Sequence, residues 1–142
     1  MRTKFAGPVA LFAIASLLLI LPACGHKQQL VSITIIPAAE TFGDVHIPVD
    51  QDAGLNVQLR ALGSYIHPPV TKDITNQVTW VSNTPDMVTV NATGLITATG
   101  RSCGGTIISA TVTTNHSEGD IPSSGAIVTG TMQANVVCFT GQ

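Results

Sequence analysis

A chain of 142 residues with six basic and eight acidic side chains carries a net charge of −2, and only 10% of its residues are charged. So few and so scattered cations leave no electrostatic footprint for nucleic acid. The length bounds the chain to one domain with a modest core, and its 44% apolar content is swollen by a single run near the N-terminus.

That run comes first. Arg2 and Lys4 are the only charges before Lys27, and an apolar stretch from Phe5 to Leu21 follows, broken by Gly7, Pro8 and Ser16. A basic start followed by an apolar stretch of this length is the pattern of a secretion signal. A spanning helix needs about 20 apolar residues, and this run is shorter and contains Pro8. Directly after it, Leu21-Pro22-Ala23-Cys24 resembles the bacterial lipobox, in which a small residue precedes a cysteine that is acylated before cleavage. The resemblance implies that residues 1–23 are a removed signal peptide. It also implies that Cys24 becomes the lipidated N-terminus, carrying acyl chains such as palmitate that hold the protein in the cell envelope. Gly25, where an Asp would imply inner-membrane retention, points to the outer membrane if the source is Gram-negative.

Without residues 1–23 the chain keeps four basic residues (Lys27, Arg60, Lys72, Arg101) against eight acidic ones, a net charge of about −4. Residues 24–29 form a lipidated tether whose polar part, Gly25 to Gln29, reaches about 17 Å at most when extended. A single β-domain is expected over 30–142. Leu30 to Ile36 is a β-branched run ended by Pro37, which cannot donate to a central ladder. Leu55 to Leu62 alternates, placing Leu55, Val57, Leu59 and Ala61 on one face. Val78–Val81, Met87–Val90 and Leu95–Thr99 are short strands, the last two separated by a turn at Asn91-Ala-Thr-Gly94. Thr106–Thr113 and Ala126–Val137 are the longest. In the final one Ala126, Val128, Met132, Ala134 and Val136 share parity, with Gly130 as a gap. About seven strands at short spacing, with no sustained helical period, predict an all-β sandwich.

With Cys24 assigned to lipid, Cys103 and Cys138 remain, and an even pair in an exported domain favours a disulfide. If the two longest strands form a hairpin, its open end brings these cysteines together. Its core-facing residues are even-numbered on both strands, however, so strict alternation puts Cys103 and Cys138 on opposite faces. A bulge at Gly104-Gly105 is the expected remedy.

The order of segments resembles a group 2 bacterial immunoglobulin-like domain over about residues 30–138. The resemblance rests on Val31–Pro37, Val57–Ala61, Asp73–Val90 around Trp80, Gly94–Ala98 and Gly105–Val112. It implies an Ig-like sandwich of the kind found on bacterial surfaces, with no catalytic residues to carry over. The chain departs from that pattern in a longer, more polar Phe42–Ala53 segment, in Cys103 and Cys138, and in a long Asn115–Gly125 loop.

Candidate chemistry is sparse. Trp80 is expected in the core. With Phe42, Tyr65 and Phe139 as the other aromatics after Cys24, the chain lacks the exposed rings on which saccharide platforms lean. His26, His46, His67 and His116 stand apart, without metal-ligand spacing. Asp50-Gln-Asp52 and Glu118-Gly-Asp120 offer oxygen ligands but not the full run of a calcium loop, and read as solvated loop charges. No GxSxG elbow or phosphate-binding glycine loop is present. The expectation is a non-catalytic protein, without cofactor or metal, attached to a membrane through Cys24. It would contact an envelope protein or surface polysaccharide through the 42–53 and 115–125 loops. The alternative is a structural subunit or spacer of an envelope complex.

Overall fold

In the computed structural model, which describes residues 28–114 and 125–140, Pro37 changes the course of the first strand. β1 (Gln29–Ile36) ends there, and the chain resumes as β2 (Ala39–Phe42) in a different sheet. A short 3-10 turn over Val49–Asp52 leads into β3 (Asn56–Gln58) and β4 (Arg60–Ile66), which are interrupted only at Leu59. β5 (Val70–Asp73) returns along β4, and β6 (Thr79–Ser82), β7 (Val88–Val90) and β8 (Leu95–Ala98) follow. β9 (Gly104–Thr114) and β10 (Ala126–Val136) form a long antiparallel hairpin. All seven predicted runs become strands, one of them split at Leu59 into β3 and β4, and β2 and β5 bring the number among the described residues to ten. Among the described residues no helix is long and apolar enough to cross a membrane.

One layer of the sandwich is the sheet β2-β10-β9-β6, in which β2 runs parallel to β10. The opposite layer holds two ladders, β1-β4-β5 and β3-β8-β7. They share the continuous stretch 56–66, which pairs first with β8 and then with β1 and β5. Between the layers lie Leu59, Ile74, Ile96, Ile108 and Met132, all almost fully buried. Even-numbered residues of β10 face this core from Gly130 to Val136, whereas Ala126 is exposed at the connected end of the hairpin. Leu55 is likewise outside the core, 45% exposed. It precedes β3, and its N–H bonds to the Asp52 carbonyl while its own carbonyl accepts from Ala98, so it follows the loop rather than the strand's alternation.

The gap at Gly130 admits β1. A Cβ there would stand 2.5 Å from the Ile33 carbonyl oxygen, so the two layers approach more closely at this point than any side chain allows. Because β1 descends alongside β10, the register defines two ends of the sandwich. At one end lie Gln29, the β4–β5 turn and the Thr114–Ala126 pair. At the other lie the ends of β2, β6, β8 and β10, followed by the 43–55, 83–87, 99–103 and 137–140 segments.

Candidate functional site

The break at Leu59 opens a cleft of about 500 Å³, where the neighbour of the shared strand changes from β8 to β5. Side chains supply the hydrogen bonds that the ladder lacks there. Gln58 Nε2 donates to the carbonyls of Leu59 at 2.9 Å and Thr93 at 2.6 Å. Ala61 N–H donates to the Thr75 hydroxyl at 3.0 Å, and that hydroxyl donates to Asp73 Oδ1 at 2.6 Å. Asp73 Oδ2 accepts from Arg60 Nε and Nη2 at 3.0 and 2.9 Å. The Thr75 hydroxyl, then the Thr75 N–H and the Arg60 guanidinium hold the Asp73 carboxyl down at about 2. Beneath the cleft Trp80, 8% exposed, donates from Nε1 to the Thr75 carbonyl at 3.0 Å. Trp80 is a core residue, as expected, although β6 is an edge strand of its sheet. The Gln58, Arg60, Asp73 and Thr75 side chains of the cleft are engaged with one another or with the backbone, so it splices two ladders.

A second concavity, about 470 Å³, lies on the outer face of the β10-β9-β6 sheet near its Val136 end. Gly105 on β9 is opposite Asn135, and the missing side chain leaves open space, since a Cβ there would meet nothing within 4 Å. Gln133 and Asn135 rise from β10 on the outward parity, Ile107 forms an apolar wall 42% exposed, and Asn83 and Thr84 close the far side. The carboxamides of Asn83, Gln133 and Asn135 make no hydrogen bond to other described residues. Each can donate and accept, and no ionisable group lines the groove. Sequence reasoning passed over these residues. Their signal was the outward parity of Gln133 and Asn135 on a strand whose inner parity was already assigned to the core.

The cysteine pair sits at the same end. Cys103 and Cys138 are bonded, with Cα atoms 5.1 Å apart. No bulge resolves the parity conflict: the ladder runs without a shift through Gly105–Asn135 to Gly104–Val136. The odd residue is absorbed at the end of the ladder, whose last pair holds Gly104 at φ +123°, a conformation that side chains disfavour.

Asp52 overturns the reading of its segment as solvated charge. It is 2% exposed, and its Oδ2 has no hydrogen-bond partner among the described residues. The carboxylate lies against Gly43, where φ is +83° and a Cβ would overlap it. Asp50 is exposed as expected. His46 Nδ1 is 2.7 Å from Asp44 Oδ1, and the His46 backbone N–H, followed by its ring, lowers the Asp44 pKa. His67 occupies the tip of the β4–β5 turn. Among the described residues no three of His, Cys, Asp and Glu gather as metal ligands. Cys24, His26, His116, Glu118 and Asp120 lie outside the described residues, as does the 115–125 loop apart from Gly125.

No curated protein matches the chain. Residues 51–120, from the 3-10 turn to beyond β9, match the family described as bacterial Ig-like domain (group 2). Over that stretch, just under half of its length, the chain is similar to these domains, and β1, β2 and β10 extend the same sandwich beyond it.

Proposed function

We propose that the chain is a non-catalytic, lipid-anchored envelope protein whose sandwich binds a protein or surface polymer. The carrying observation is the groove beside Gly105, where three carboxamides face outward without partners among the described residues. Such a surface suits a neutral, hydrogen-bonding partner, a peptide backbone or a polyol. Because no charge lines it, binding should respond little to ionic strength. Its position beside the loops that follow β6 and β10, at the end opposite Gln29, leaves it accessible when the N-terminus is tethered.

Crosslinking in intact envelopes followed by capture of the protein tests this reading. Wild type should retain a partner that a Gln133→Ala, Asn135→Ala double variant loses, at low and at high salt. Capture unchanged in the variant would overturn the groove assignment. A stable, stoichiometric complex insensitive to both substitutions would favour the structural-subunit alternative.

A further inference from the structure

We propose that the end of the sandwich bearing Gln29, the β4–β5 turn and the start of β10 rests on the lipid bilayer and inserts apolar side chains into its interface. The proposal rests on the reading that Cys24 is acylated. From Cys24 to Gln28 the chain reaches about 14 Å at most, and part of that is spent within the headgroup layer. β10 alone is about 35 Å long, so a tether this short fixes which end of the sandwich faces the membrane. The register then decides what that end contains. Gln29 pairs with Ile66, Tyr65 with Val70, and Thr114 with Ala126, and β1 meets β10 at Ile33 and Gly130, so the entry of β1, the tip of one hairpin and the connected end of another lie at the same end.

The chemistry of this end suits a lipid interface. The turn is His67-Pro68-Pro69, all exposed. Its two prolines carry no N–H, so the tip brings fewer backbone donors that must keep water when it enters an apolar medium. Val70 follows, 37% exposed, and Ile127 is 70% exposed, the most of any exposed large apolar residue described. Lys72 Nζ donates to Gln28 Oε1 at 2.5 Å and stands 5.0 Å from the centre of the Tyr65 ring. It therefore holds the last stretch of tether against β5, on the side of the turn. Lys72 is the one cation among the described residues of this end. The contact therefore depends on apolar insertion, not on attraction to anionic lipid.

Tryptophan placed at exposed positions distinguishes the two ends in the full acylated protein. Val70→Trp, Ile127→Trp and Val45→Trp variants would be reconstituted into phosphatidylcholine vesicles with and without brominated acyl chains. Trp80 is common to all and is subtracted through the wild type. Emission added at positions 70 and 127 should shift to the blue and be quenched by bromine, and emission added at position 45, at the opposite end, should do neither. Flotation with the vesicles reports the anchor separately. Protein that floats while positions 70 and 127 stay unquenched, or while position 45 is quenched equally, overturns the orientation. Protein that fails to float removes the acylated anchor, and the proposal with it.

Discussion

Asp73 and Asp52 are acids in opposite circumstances. Asp73 is on the surface, and both its oxygens accept hydrogen bonds, from Thr75 and from Arg60. Its carboxyl is thereby lowered to about 2 from an ordinary value of 3.8. A carboxylate whose folded pKa is depressed contributes stability above its unfolded pKa and loses it as pH falls through the folded one. An Asp73→Ala variant should therefore be less stable than wild type at neutral pH. The gap should shrink as pH falls from about 4 to about 2, which urea midpoints measured across that range would show. A constant gap would mean that the carboxylate's charge does not hold the Leu59 junction. Asp52 has no such compensation: its Oδ2 is buried without a hydrogen bond among the described residues, a desolvation cost for the segment it closes. Gly43 is the residue that lets the carboxylate lie against the backbone there.

At the scale of strands, Gly130 governs how closely β1 approaches β10. The obstacle to a side chain is the Ile33 backbone, which cannot rotate away as a side-chain tip could. Gly130→Ala should destabilise the fold by about 1–3 kcal/mol, the usual cost of overpacking, read as a lower denaturant midpoint with an unchanged slope. Gly105→Ala on the neighbouring strand, with open space at its Cβ, is the matched control and should leave that midpoint nearly unchanged. The seven principal strands were legible in the sequence because each carries β-branched residues or a period-two pattern whose inner face is core. β2 (Ala-Glu-Thr-Phe) and β5 (Val-Thr-Lys-Asp) were not: they are short edge strands, three of the four β2 side chains and all four of β5 lie outside the core, and no alternation marks them. The disulfide was legible from the even pair of cysteines left after Cys24 and from hairpin order, but its local geometry was not, since the ladder ends before the cysteines. The groove was illegible for a different reason. It requires Asn83 to arrive beside Ile107 and Gly105 to lie opposite Asn135, and both depend on strand pairing rather than on local pattern.

For the molecule as a whole, the Cys103–Cys138 bond closes a span of 35 residues that includes the β9–β10 hairpin. Replacing both cysteines by serine should lower stability by about 3–4 kcal/mol in the chain-entropy account. Reduced wild type should show the same denaturant midpoint as the double variant. A midpoint unmoved by reduction would show that the hairpin needs no staple. The same bond determines how the protein carries load. Tension applied between the two ends of the described chain pulls β2 and β10 in opposite senses along their parallel ladder. The four residue pairs of that ladder lie across the line of force and yield together rather than one at a time. Should they yield, the segment between the cysteines still cannot pay out, which withholds about 120 Å of contour length. Oxidised, the domain is a short, stiff link; reduced, it is a longer and more compliant one.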